Sequence, residues 1–218
     1  MSARGVIFLG PSLVPLPADT PHLQYWPPAR RGDLERAADS GARVIGLIDG
    51  VFGQTLAVTP TEVRKVAQRD IRLLGGASMG ALRACECPRA MQGVGEIWQR
   101  FASGELTDDD EVAVTFLPGT YELVAYPLVQ IREVARLAAE RYPATVAELE
   151  QFIAIVRQLP FVERTVERIR EAAAHVLLDA GVPWSQLHTW LTHPEFDLKR
   201  RDAGQVIEAV TEAVAAVG

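Results

Sequence analysis

Three short apolar runs, each closed by glycine and soon followed by helix-forming text, constrain this chain more than any other feature. "GVIFLG" (5–10) leads into Gly10-Pro11-Ser12, "ARVIGLIDG" (42–50) ends on Asp49-Gly50, and "DIRLLGG" (70–76) ends on Gly76. Apolar runs without alternation are how strands buried on both faces read. "GDLERAADSG" (32–41) is a short helix stopped by glycine. Thr59-Pro60-Thr61-Glu62 is a capping box with proline at the first position of a helix reaching Gln68. Repeated β-α-β text with short links implies right-handed crossovers and a parallel sheet covered on both faces. "EVAVTF" (111–116) reads as a fourth strand.

After about residue 126 the period changes to 3.6. The segments "LVQIREVARLAAERY", "TVAELEQFIAIVRQL", "FVERTVERIREAAAHVLLDAG", "WSQLHTWLTH" and "AGQVIEAVTEAVAAVG" all carry helical apolar spacing, with a second capping box at Thr145 and Glu148. The expectation is an α/β protein. A parallel-sheet, Rossmann-like domain spans 1–126, and an all-α helical subdomain spans 127–218. The stretch "PLPADTPHLQYWPPARRG" (15–32) is the one long irregular segment.

A net charge of -6, with acidic residues in excess in both halves, argues against a phosphate-tracking surface, so no nucleic acid is expected. The opening "MSARGVIFLGPS" is too short an apolar run for a signal peptide or a membrane span. With only Cys85 and Cys87, a disulfide scaffold is not indicated, and the expected location is the cytoplasm, with no membrane partner. Cys85-Glu86-Cys87 is not a zinc spacing. "TDDDEVAV" (107–114) reads as a capped, solvated corner with Asp110 and Glu111 inward, so neither a metal nor another cofactor is expected.

In open α/β sheets, ligands sit beyond the carboxyl ends of the strands. Those ends carry Gly10, Pro11, Ser12, Asp49, Gly50 and Gly76, and glycine there lets a ligand approach the backbone. Gly76-Ala77-Ser78-Met79-Gly80 fits the Gly-x-Ser-x-Gly elbow, a strand-to-helix turn that exposes a serine. Ser78 has three readings: nucleophile, donor to an anion at a helix start, or N-cap. Asp49 either orients water or the serine, or closes an Asx turn with Gly50. Glu62 is a capping partner or a catalytic carboxylate. Arg83 neutralises an anion at the helix start or is a surface arginine. The histidines, His22, His175, His188 and His193, allow a Ser-Asp-His order without supporting one. A nucleotide site has no phosphate-loop or dinucleotide fingerprint behind it.

The blocks "VIFLGPSL", "PPARRGDL", "VIGLIDGVF", "GASMGALRA", "GVGEIW" and "DDDEVAV", in this order over about residues 6 to 132, resemble the TfuA-like proteins. The resemblance carries over Gly10, Pro11, Ser12, Pro28, Arg31, Gly32, Asp33, Asp49, Gly50, Glu62, Gly76, Ser78, Gly80, Arg83, Asp110 and Glu111. It implies an accessory protein for a YcaO enzyme that replaces a backbone amide oxygen by sulfur in ribosomally made peptides. The implied chemistry is sulfur release or delivery from a thiocarboxylated, ubiquitin-like sulfur-carrier protein. The precursor peptide would be met through the YcaO partner. The alternative is a non-catalytic adaptor that docks on YcaO and recruits the sulfur source. On either reading the helical half is expected to hold the YcaO contact, through Trp184, Trp190 and Phe196.

Overall fold

The computed structural model describes residues 5–52 and 56–217. The chain forms two compact units. One holds the described residues through Thr107 together with those from Lys199 onward; the other is Asp108–Leu198. This division differs from the change of period near residue 126.

The first unit is built on five parallel strands: β1 (Gly5–Phe8), β2 (Leu23–Trp26), β3 (Val44–Leu47), β4 (Arg72–Gly76) and β5 (Gln92–Val94). Their order is β2-β1-β3-β4-β5, the order of a flavodoxin-like doubly wound sheet. Helices α1 (Asp33–Asp39), α2 (Pro60–Ala67), α3 (Met79–Glu86) and α4 (Glu96–Ala102) follow the strands. The three apolar runs are strands as expected. β2, inside the long irregular segment, and the three-residue β5 are too short to show a period.

Side chains alternate across the sheet. Val6, Phe8, Ile45, Leu47 and Leu73 join one core with Leu34, Val63 and Met79. Ile7, Leu9, Val44, Ile48 and Leu74 join another with Val206, Val210, Ala213 and Val214. That second face is covered by the terminal helix α9 (Leu198–Ala216), which its helical spacing alone assigns to the all-α half.

The glycines explain how closely this helix sits. A Cβ on Gly76, Gly46 or Gly5 would lie 2.6 Å from Val206, 2.8 Å from Val210 or 2.7 Å from Val214. Valines four apart on one helix face thus meet glycines of β4, β3 and β1. α9 also supplies Asp202, fully buried, whose carboxylate accepts the Glu96 and Ile97 N–H groups at 3.1 and 2.7 Å and so caps α4. A side chain at Gly95, where φ is +95°, would collide with that carboxyl group.

The second unit packs α5 (Leu128–Arg141), α6 (Val146–Arg157), α7 (Val166–Ala174) and α8 (Trp184–Thr192) around Phe152, Leu177 and Trp190. Gln130 ties its end together. Its side-chain amide donates to the carbonyls of Trp190 and Phe196, both at 2.9 Å, and its amide oxygen accepts from the Leu198 N–H. The expected fourth strand does not form. Asp109–Glu111 is a 3-10 turn, and only Thr115–Phe116 (β6) is extended, pairing antiparallel with β7 (Leu123–Ala125). The acidic block is held by ion pairs instead: Asp108 with Arg157, Asp110 with the fully buried Arg164, and Glu111 with Arg132 in a forked contact at 2.7–3.2 Å.

Two substitutions test the packing argument. A Cβ on Gly80 would lie 1.7 Å from the Leu47 carbonyl oxygen, whereas one on Gly204 in α9 meets nothing within 4 Å. Gly80→Ala is expected to cost at least about 3 kcal/mol or prevent folding, and Gly204→Ala to stabilise by about 0.5–1 kcal/mol, both read by urea unfolding.

A pH series tests the buried cap. Burial pushes the Asp202 carboxyl above its ordinary value, although the Ile97 and Glu96 N–H groups pull it down. The native state therefore keeps this proton after the unfolded chain has lost it. The group's contribution is full below the ordinary carboxyl value and is lost as pH rises through the folded value. The stability of the wild type relative to Asp202→Asn should accordingly fall as pH rises above the ordinary carboxyl value, measured by urea unfolding.

Candidate functional site

The site is assembled where β4 turns into α3. β4 ends at Gly76; Ala77 follows with φ +62°, and the Ser78 N–H donates to the Gly76 carbonyl at 2.7 Å. That is a γ-turn of the strained hand, with Ala77 at its tip. The Gly-x-Ser-x-Gly reading puts the serine at the strained position. Here the serine lies one residue later, with φ −135°, at the N-cap of α3. The turn can be this tight because Gly75 and Gly76 have no side chains: a Cβ on either would press on the Gly80 or Val94 carbonyl oxygen, at 2.4 and 2.3 Å.

Ser78 does not use its hydroxyl as a cap. Its carbonyl accepts the Ala81 and Leu82 N–H groups, and the Gly80 N–H goes to the Ile48 carbonyl. Among the described residues, no group accepts the Met79 N–H and none pairs with the Ser78 hydroxyl. Two donors therefore stand unspent, side by side, at the start of an eight-residue helix whose dipole favours an anion there.

Asp49 is committed elsewhere. One carboxylate oxygen accepts the Gly10 and Ser12 N–H groups at 2.9 and 3.0 Å, and the other accepts the Ser12 hydroxyl at 2.6 Å. Asp49 and Ser12 are both buried, and Pro11 lies buried between the bonded residues. The carboxylate locks the β1 loop onto the end of β3, across the position where the strand order reverses. Beside it Ala29 bridges to Gly50, donating to the Asp49 carbonyl at 2.9 Å.

Two of the three glycines expected to leave room for a ligand, Gly50 and Gly76, are occupied by protein, as is Gly80. Gly50 is filled by Met79, Gly76 by Val94 and Val206, and Gly80 by Leu47. Arg83, 8% exposed, does not stand at the start of α3; its Nε donates to the Val58 carbonyl at 2.6 Å and its fork pairs with Glu86. The Glu62 N–H donates to the Thr59 hydroxyl that caps α2. Its side chain reaches across to α1, where Oε1 accepts the Gly32 and Leu34 N–H groups at 2.9 and 3.1 Å. Its Oε2 is buried without a partner. Arg31 is exposed, its own N–H bound to the Leu56 carbonyl.

His22 is exposed before the amino end of β2, at the rim of the sheet opposite Ser78, while His175, His188 and His193 are exposed on the second unit. A serine-histidine pair is therefore not built in the first unit. No group of three or more metal-ligating side chains occurs among the described residues. The Cys87 thiol, pushed up by burial, donates to the Pro60 carbonyl at 3.6 Å. Trp190 is wholly buried, whereas Trp184 and Phe196 are half-buried against the same core. The Met79 amide has no signal in the sequence, because any residue type except proline supplies it.

Fold and site together define a parallel-sheet α/β protein with two unpaired donors at the helix start that follows its fourth strand. The family model of the TfuA-like proteins matches residues 49–165, more than half of the 218-residue chain, and the chain belongs to that family. No curated protein matches it. Membership is consistent with an accessory role beside YcaO-type enzymes in thioamide formation. No helix among the described residues is long and apolar enough to cross a membrane.

The bonding of Asp49 makes a specific prediction. Asparagine presents one acceptor and one N–H₂ group to three donors, so Asp49→Asn should lose roughly 2–4 kcal/mol of stability, measured by chemical unfolding. A variant as stable as the wild type would show that the loop does not need the carboxylate.

Proposed function

We propose that this chain assists a YcaO enzyme in peptide thioamidation by releasing sulfur from the thiocarboxylated end of a ubiquitin-like carrier protein. The observation that carries this reading is the pair of unspent donors, the Ser78 hydroxyl and the Met79 N–H, at the start of α3. Water adds to the thiocarboxylate carbon, an oxyanion forms, and collapse expels hydrosulfide, leaves a carboxylate on the carrier and releases one proton to solvent. Donors aimed at the developing oxyanion lower that barrier. Ser78 acts as donor rather than nucleophile, since Asp49 is spent on Gly10 and Ser12 and no histidine of the first unit stands at this rim. Asp49 acts as a positioning residue, through the loop it holds, and Arg83 and Glu62 anchor the segments around it.

The adaptor reading has its own support. In the second unit Leu117, Val124 and Val162 are exposed, at 46%, 40% and 51%, and large exposed apolar side chains suit a protein partner better than the buried Trp190 does.

Incubating the purified chain with thiocarboxylated carrier and measuring sulfide separates the two. Release by the chain alone excludes a pure adaptor. Ser78→Ala should remain folded and lose roughly 100- to 1000-fold in sulfide release, the loss of one oxyanion donor. Undiminished release by a folded Ser78→Ala protein would remove the serine from the chemistry.

A further inference from the structure

At the rim of the sheet opposite Ser78, the first unit carries two adjoining clefts lined by arginine. α2 and α3 both end there. Arg64 and Gln68, one helical turn apart, share a cleft of about 570 Å³ with Glu86, Cys87, Arg89 and Ala90, which close α3 and lead toward β5. Ala67 lines this cleft and also a second one of about 550 Å³, with Arg43, Asp70, Ile71, Arg72 and Val217. The chain is acidic overall, yet four arginines and only two acids gather here.

These charges are unequally spent. Glu86 pairs with the buried Arg83, and Arg72 donates to the Gln92 side chain at 2.9 Å. Arg43, Arg64, Arg89 and Asp70 are exposed, and among the described residues their side chains make no ion pair or hydrogen bond. Helix carboxyl ends attract cations, which accounts for arginines near the ends of α2 and α3 but leaves their N–H groups unspent.

The lining also says which anion fits. A polyphosphate has acceptors alone and would be repelled by Asp70 and Glu86, and a nucleotide would find no aromatic side chain to stack on among the described residues. A peptide carries both kinds of group: side-chain carboxylates for the arginine forks and backbone N–H groups for Asp70. Ala67, Ile71, Ala90 and Val217 give it apolar surface between the charges. In an extended segment alternate side chains leave one face about 7 Å apart, so successive carboxylates can reach arginines of both clefts. The Cys87 thiol is bound to the Pro60 carbonyl, which leaves binding, not reaction, as the use of the cleft.

We propose that these adjoining clefts dock an extended, acidic segment of a partner protein, Arg64 and Arg89 holding its carboxylates and Arg43 and Arg72 extending the contact. The surface lies at the amino ends of β3 and β4, whereas Ser78 follows the carboxyl end of β4, so a partner held here leaves that turn open. The inference goes beyond the function proposed above and does not rest on it.

The test is fluorescence polarisation of a labelled decapeptide of alternating Glu and Ala, compared with its Gln-Ala twin, at about 0.1 M salt to screen long-range attraction. The wild type should bind the acidic peptide at least about tenfold more tightly. Arg64→Gln/Arg89→Gln, at two exposed positions, should lose about tenfold with an unchanged thermal midpoint. Arg89→Gln alone, outside the helices, should lose at least about threefold and serves if the double variant is destabilised. Arg168→Gln/Arg170→Gln removes the same charge from exposed positions of α7 and should bind like the wild type. The proposal is overturned if the wild type does not distinguish the two peptides, or if the Arg64 and Arg89 variants keep full affinity. It is also overturned if the α7 variant loses as much, which would make net charge the cause, or if tripolyphosphate binds more tightly than the acidic peptide.

Discussion

The arrangement depends first on how closely helices lie on the sheet. α9 presents Val206, Val210 and Val214, and each meets a glycine of a different strand, Gly76, Gly46 and Gly5. On the opposite face, the start of α3 rests on the Leu47 carbonyl through Gly80 and on β4 through Gly75. Any side chain at these positions would push a helix outward, reduce dispersion contacts that depend steeply on distance, and open both cores. The same contact fixes the direction in which α3 points its first amides. The donor pair at Ser78 and Met79 is thus a consequence of packing on glycine.

Buried carboxylates then organise the first unit. Asp49, Glu62 and Asp202 each accept two backbone N–H groups from a segment distant in sequence: the β1 loop, the start of α1 and the start of α4. A short carboxylate can satisfy two amides at once, which neutral side chains seldom do, and those bonds offset part of the desolvation cost, which at Asp202 still outweighs them. In the second unit the same residue types are matched to arginines instead, as in Glu111 with Arg132. With the acids so committed, the Ser78 hydroxyl, the Met79 N–H and Glu62 Oε2 are among the groups of the first unit that pair with nothing among the described residues.

Much of the fold is legible in the sequence. β1, β3 and β4 are apolar without alternation, a pattern that a strand buried on both faces produces and an amphipathic helix does not. The cap at Thr59 and the capping box at Thr145 both form. β2 and β5 are not legible, since "LQYW" and "QGV" are shorter than any period. The destination of α9 is equally hidden: an apolar stripe states that a face is buried, not against what. The DDDE corner reads as capped and solvated with Asp110 and Glu111 inward; Glu111 is buried, but no side chain caps the turn, and arginines hold it instead. Its arginine partners lie 21 to 54 residues away and leave no local trace.

The glycines mark where local reading and tertiary structure part. At the ends of strands, glycine signals that something approaches the backbone, and a ligand and another piece of the chain give the same signal. Gly50, Gly76 and Gly80 are filled from within. Gly32 differs, because a side chain at its left-handed φ would meet nothing within 4 Å. The elbow follows the same logic. The pattern fixes that a serine lies near the strand end, while the packing of Gly75 and Gly80 decides which residue takes the strained tip. Here Ala77 takes it, and the serine stands one residue later, at the N-cap of α3.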